Sequence, residues 1–137
     1  MKSAIVRAVV DTNVIISSLW GKNPGKIIEL WDKDKILLIV SQEILDEYFE
    51  VLDRFELSEE DIEELTLLFS NSRKTLLVKP KSKQTVIKRD PKDNKFLECA
   101  LEGEAAFIIS GDKDLIELGN FRGIEIVTPK KFLDLTQ

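Results

Sequence analysis

Histidine is absent from the 137-residue sequence, and cysteine occurs once, at Cys99. The missing histidine excludes zinc sites with histidine ligands and catalysis by an imidazole base. A single cysteine excludes an internal disulfide and a metal cluster held by thiolates, and it suits a reducing compartment. An enzyme of this composition therefore has to use carboxylates, hydroxyls, amines or a hard metal ion.

Long hydrophobic runs are also missing. No apolar stretch approaches the roughly 20 residues that cross a bilayer, and the N-terminal residues lack the apolar core of a signal peptide. We therefore expect a soluble, cytoplasmic protein that does not enter a membrane. Apolar residues make up 43% and charged residues 33%, which indicates a globular chain. The length predicts one domain over residues 1–137.

The formal net charge of −5 argues against nucleic-acid binding through bulk charge. That argument weakens if some of the acids converge on a cation, because a metal site neutralises its ligands and then attracts phosphate.

Apolar runs alternate with amphipathic segments along the chain. The predicted strands are Ala4–Val10, Ile36–Val40, Thr75–Val78, Ala105–Ser110 and Ile124–Val127. The predicted helices are Val14–Leu19, Lys26–Trp31, Gln42–Phe55, Ser58–Ser70, Asp93–Leu101, Leu115–Leu118 and Pro129–Leu135. Strands that are apolar almost throughout and alternate with helices indicate a parallel sheet covered on both faces. We expect Ala4–Val10 and Ala105–Ser110 to be adjacent central strands.

Two acids lie at the carboxyl ends of predicted strands. Asp11 comes after the first strand, and Asp112 comes two residues after Ser110. Sites in open α/β sheets form outside the carboxyl ends of the strands. An aspartate in such a position also serves as a turn residue or a helix cap, but two of them in one chain favour a site.

Two further acids lie on helices that carry apolar faces. Glu47 falls about 40° from Val51 on a helical wheel, at the border of the buried face, where a snorkelling surface role is the alternative. Asp93 falls near the middle of the apolar face of its helix. A carboxylate there needs a partner, which is either its own helix, as an N-terminal cap, or a metal.

Four carboxylates at one sheet edge would repel each other unless a cation lies among them. Hard divalent cations such as Mg²⁺ or Mn²⁺ take oxygen ligands and keep several waters. Such an ion orients and activates a water molecule and polarises a phosphodiester without any histidine.

Four short segments resemble, in order, the motifs of PIN domains, in particular those of toxin–antitoxin pairs. They are Val9–Ser17, Ser41–Tyr48, Asp90–Leu97 and Ile108–Leu115, and the ending Gly123–Pro129 is also typical. The acids that match the family's four are Asp11, Glu47, Asp93 and Asp112. The resemblance covers the whole chain.

The resemblance implies a three-layer α/β/α fold and a divalent-metal-dependent endonuclease, usually acting on RNA. It also implies frequent homodimers and, for the toxin group, inhibition by a protein antitoxin. By the same match, Thr12, Asn13 and Ser110 assist near the metal or the phosphate. Two alternates remain: Asp90 competes with Asp93, and Asp114 competes with Asp112.

A basic stretch precedes the third acid. It consists of Lys79, Lys81, Lys83, Lys88 and Arg89. It is either a solvated loop or a contact for the phosphate backbone of the substrate beside the metal site.

Other functions would use a similar strand-end acid. A haloacid-dehalogenase-like phosphatase needs a second aspartate two positions after the first, where this chain has Asn13. A phosphoacceptor receiver domain needs an early pair of acids, which is missing. A catalytically silent partner-binding module on the same fold is the remaining alternative, and the presence of all four acids weighs against it.

Overall fold

The computed structural model describes residues 5–19, 25–83, 87 and 91–136. Lys88, Arg89 and Asp90 of the sequence analysis lie outside the described residues. No helix in the described part of the chain is long and apolar enough to cross a membrane.

The described residues form one sheet and seven helices. The strands are β1 Val6–Val10, β2 Ile36–Val40, β3 Thr75–Leu77, β4 Phe107–Ile109, β5 Asn120–Phe121 and β6 Ile124–Val127. The helices are α1 Thr12–Ser18, α2 Gly25–Asp32, α3 Gln42–Leu52, α4 Glu59–Ser70, α5 Asn94–Glu102, α6 Lys113–Leu118 and α7 Pro129–Thr136. A 3₁₀ turn, Pro91–Asp93, leads into α5.

The strand order in the sheet is β3-β2-β1-β4-β6-β5. All neighbouring pairs are parallel except β5 and β6. Val10, the last residue of β1, lies opposite Ile109, the last residue of β4. The predicted mainly parallel sheet of a three-layer α/β/α fold, with these two strands adjacent at its centre, is therefore confirmed.

The central strands are apolar because both faces of the sheet are covered. Val9, Val10, Ile108 and Ile109 are fully buried. The hydroxyl of Tyr48, also fully buried, donates a hydrogen bond to the carbonyl of Val10. This bond fixes α3, which carries Glu47, against the carboxyl end of β1.

Several element boundaries differ from the predictions. Helices α1 and α6 begin two residues earlier than predicted, because each begins directly after an aspartate that caps it. Helix α3 ends at Leu52 and not at Phe55, since the amide of Phe55 bonds back to the carbonyl of Leu52 in a turn. Strand β5 was not predicted, because a two-residue strand has too few positions to show alternation.

Gly103 directly follows the last residue of α5, a place where glycine often ends a helix by adopting a positive φ. Its φ of −84° lies in the ordinary right-handed region, so its backbone does not need glycine. A Cβ atom at this position would instead collide with the side chain of Ile39 in β2. The glycine therefore allows α5 to pack closely on the sheet, which sets the position of Asp93 at the other end of the helix.

Candidate active site

The carboxyl ends of β1 and β4 bring Asp11 and Asp112 together. The amide of Asp11 donates to the carbonyl of Ile109 at 3.0 Å. Ser110 then links the two acids, because its hydroxyl donates to Oδ2 of Asp11 and accepts from the amide of Asp112 at 2.9 Å. Ser110, which was predicted to assist near the metal or the phosphate, thus contacts Asp11.

Both strand-end aspartates also cap helices. Oδ1 of Asp11 accepts from the amide of Val14 at 2.9 Å. Oδ1 of Asp112 accepts from the amides of Asp114 and Leu115, at 2.9 and 3.2 Å. The capping role that competed with a site role in the sequence is therefore real, but it engages one oxygen of each carboxylate and fixes the orientation of the other.

Asp11 is a buried carboxylate, 5% exposed. Burial raises its pKa above the usual 3.8, and the charge of Asp112 acts in the same direction. Hydrogen bonds from Ser110, Val14 and Gly111 oppose this rise. Burial outweighs these hydrogen bonds, so keeping Asp11 charged lowers the stability of the folded state.

Glu47 reaches the same region from α3. It is partly exposed, as the wheel predicted, but its side chain does not extend freely into solvent. Oε2 accepts a hydrogen bond from the hydroxyl of Thr12, and Oε1 lies 2.7 Å from Nζ of Lys95. Thr12, a predicted assisting residue, therefore positions this acid.

Asp93 is buried at the start of α5, 9% exposed. Among the described residues, it accepts no capping hydrogen bond from the amides of α5, so the capping interpretation of this acid is wrong. One oxygen each of Asp93, Asp112 and Asp114 lies within 4.8 Å of the others. Asp114, considered only as a substitute for Asp112, thus stands beside it.

One cavity, of about 330 Å³, is lined by all of these acids except Asp114. Its lining residues are Asp11, Thr12, Asn13, Glu47, Glu50, Val51, Arg54, Lys92, Asp93, Phe96 and Asp112. All four predicted acids line it, as do Thr12 and Asn13. Ser110 lies behind Asp11 and is fully buried.

The described part of the basic stretch does not line this cavity. The backbone amide of Lys81 donates to Glu102 at 3.1 Å, and Nζ of Lys83 lies 4.0 Å from Glu98. Both lysines are exposed, and they lie along α5, whose N-terminal end carries Asp93.

Three cations at the site were missed by the sequence reasoning. Arg54 and Lys92 line the cavity, and Lys95 pairs with Glu47. A signal existed for two of them: Arg54 follows Glu47 by seven residues, close to two helical turns, and Lys92 is the neighbour of Asp93. Lys95 was missed because a wheel with one apolar face places it in solvent, whereas residues 93–100 are all buried.

The donor set fits a hard divalent cation. Asp93, Asp112 and Asp114 offer three carboxylate oxygens close together, and Asp11 and Glu47 border the same cavity. Such an all-oxygen, histidine-free set suits Mg²⁺ or Mn²⁺. These five acids are the residues that would hold the ion.

A protein-family model described as a PIN domain matches residues 7–114 of the chain. The match spans all four acids, all of β1 except its first residue, and the strands β2 to β4. No curated protein matches the sequence significantly.

Proposed function

The chain belongs to the PIN-domain family, and from this premise we propose that it is a divalent-metal-dependent endoribonuclease that hydrolyses RNA phosphodiester bonds. The observation that carries the proposal is the meeting of Asp93, Asp112 and Asp114 within 4.8 Å in a region that also contains Asp11 and Glu47. A divalent cation bound among these acids would offset their mutual repulsion.

The ion, when bound, supplies the polarisation of the scissile phosphate and lowers the pKa of an attacking water. The protein's own residues hold the site in shape for this chemistry. Ser110 orients Asp11, and Thr12 orients Glu47. Asn13 is exposed at the cavity wall, where its amide can donate to a phosphate oxygen.

Substrate binding needs positive charge close to this acidic cavity. Arg54 and Lys92 supply it at the cavity wall, and we propose that they contact the phosphates nearest the scissile bond. Lys81 and Lys83, with Lys88 and Arg89 in the same stretch of sequence, would contact the backbone further along the RNA.

The direct test is cleavage of a panel of structured and single-stranded RNAs with Mn²⁺, with Mg²⁺ and with a chelator. We expect cleavage by the wild type with either metal and none with the chelator. Asp93→Asn should abolish it, whereas Asp134→Asn, which removes an exposed aspartate of α7, should not. Mn²⁺ binding without cleavage of RNA would support the silent partner-binding module, and hydrolysis of small phosphomonoesters instead would support a phosphatase.

The finer proposal is that the protein is the toxin of a toxin–antitoxin pair and acts as a homodimer. The likeness of its four motifs to the toxin group supports it. Induced expression in a bacterial host should arrest growth, and Asp93→Asn should relieve the arrest. Light scattering should give twice the monomer mass. Normal growth with active soluble enzyme would reject the toxin role and leave the nuclease proposal standing.

A further inference from the structure

Lys95, the second residue of α5, is 7% exposed. Lysine is seldom buried to this degree unless its ammonium group is paired. Its Nζ lies 2.7 Å from Oε1 of Glu47 and donates to the carbonyl of Lys92 at 2.8 Å. It also lies 5.1 Å from the ring centre of Phe96, within the range of a cation–π interaction. A lysine ammonium is thus held beside the acidic cavity by three neighbours.

The contact with Lys95 holds Glu47 apart from the group of three acids described above. Both oxygens of Glu47 are engaged, one by Thr12 and one by Lys95. Among the described residues, the three acids whose oxygens all lie within 4.8 Å of one another are Asp93, Asp112 and Asp114. Glu47 lines the same cavity but stands outside this triad, on the side of Lys95.

We propose that Lys95 is an internal counter-ion that competes with a divalent cation for Glu47 and so sets the metal concentration at which the site fills. This inference rests on the proposed metal site. An ammonium group and a hard cation bind the same carboxylate oxygens, and two cations that share one carboxylate repel each other. Lys95 is a positioning residue, because it acts on the site through Glu47.

The competition has a definite consequence for metal affinity. Removing the ammonium group frees Oε1 of Glu47 for the ion and removes a repelling charge. Lys95→Met, which keeps most of the apolar stem, should therefore bind Mn²⁺ at least about tenfold more tightly by calorimetry. A lysine that served only to stabilise the fold would produce no such gain.

The matched control is Lys113→Met. Lys113 lies between Asp112 and Asp114 in sequence, but its side chain is 79% exposed and it pairs with Glu117 on the surface. Its removal should change the Mn²⁺ affinity by less than about twofold, since exposed charges are screened by water and salt.

A double-mutant cycle tests whether the effect passes through Glu47. The gain from Lys95→Met should largely disappear when Glu47→Gln is present in both proteins being compared, because the freed ligand is then missing. An unchanged or weaker Mn²⁺ affinity in Lys95→Met, or a gain that persists in full without the Glu47 carboxylate, would overturn the proposal.

Two measurements keep the test decisive if Lys95→Met fails to fold. Lys95→Gln removes the charge but keeps a hydrogen-bond donor, and it should give the same direction of change. In the wild type, the ¹⁵N resonance of the Lys95 ammonium should shift in step with Mg²⁺ binding while that of Lys113 does not. A wild type that binds no Mn²⁺ would refute the proposed function itself, whereas normal binding that is insensitive to Lys95 would refute only the competition.

Discussion

Replacing Asp11 with asparagine is expected to change the stability of the metal-free protein little at neutral pH and to weaken its affinity for Mn²⁺. Burial raises the pKa of Asp11, with a contribution from the charge of Asp112. An acid whose pKa is higher in the folded than in the unfolded state binds more protons when folded, so the protein loses stability as pH rises from about 4 towards the folded-state pKa. Asparagine does not titrate, so the variant should not lose this stability as pH rises.

The size of the effect follows from the contacts. Asparagine keeps an oxygen for the Val14 amide. The bond from Ser110 changes from a charge-assisted one, worth about 1.5–3 kcal/mol, to a neutral one of about 1 kcal/mol. Relief of the buried charge offsets that loss, at about 1.4 kcal/mol for each pKa unit. Asp11→Asn should therefore lie within about 1 kcal/mol of the wild type at neutral pH, or roughly 3–5 °C in Tm.

Bound metal should separate the stabilities of the two proteins. Mn²⁺ at 100 times the wild-type Kd should stabilise the wild type by about 2.7 kcal/mol. A variant with tenfold weaker binding gains only about 1.4 kcal/mol at the same concentration. The two melting curves should thus separate by a further 4–6 °C or so in favour of the wild type.

The assay is thermal melting of both proteins from pH 4 to pH 8, with chelator and with Mn²⁺. With chelator, the stability of Asp11→Asn relative to the wild type should improve as pH rises. If it worsens instead, the buried carboxylate is not held at a cost to the fold. If Mn²⁺ stabilises Asp11→Asn as much as the wild type, Asp11 does not belong to the ion site.

Three other outcomes follow from the placement of single side chains. Glu47→Gln should lower RNA cleavage at least about tenfold, whereas Glu43→Gln, on the exposed side of α3, should leave it within about twofold; equal effects would contradict a shared ion. Cys99→Ala should keep full metal-dependent cleavage, because burial raises the pKa of this thiol to about 12 and leaves it unreactive; loss of cleavage with an intact fold would give Cys99 another role. Replacing Lys81, Lys83 and Lys88 with glutamine should flatten the salt dependence of RNA binding. An unchanged slope would mean that these lysines belong to a solvated loop that does not contact RNA.

The sheet could be predicted from the sequence because its strands are buried on both faces. A short, continuous apolar run such as Ile36–Val40 is best explained as a buried strand, and this run is β2 with the predicted boundaries. The same continuity made β1 and β4 central, and their neighbouring carboxyl ends placed Asp11 beside Asp112. This part of the site follows from pattern and topology alone.

Helix α5 shows where pattern reasoning fails. A helical wheel assumes one buried face and one solvated face, and that assumption correctly placed Asp93 towards the core. The helix is instead buried around its whole circumference, because it packs on β1 and β4 and also on α3. The side chain of Lys95 is therefore buried and pairs with Glu47. The two residues are 48 positions apart, so no local sequence pattern predicts this contact.

Asp11 and Asp112 show a second limit, which concerns chemistry more than packing. A carboxylate has two oxygens, so a helix cap and a ligand are compatible roles for one residue. The structure assigns one oxygen of each aspartate to a helix amide, and these bonds stabilise the charge by roughly 1 kcal/mol apiece. Ser110 adds a further bond to Asp11.

These contacts orient the acids without neutralising them. Four aspartates and Glu47 border one region, and two of the described cations beside it are paired with glutamates. Lys95 is committed to Glu47, and Arg54 lies 3.4 Å from Glu50 on the same cavity wall. Hydrogen bonds worth about 1 kcal/mol each do not offset repulsion among several carboxylates a few ångströms apart, which reaches about 4 kcal/mol per pair at the dielectric of a protein surface. A divalent cation at this site would offset that repulsion, as the proposed function requires, and the proposed competition then makes its affinity depend on how firmly Lys95 holds Glu47.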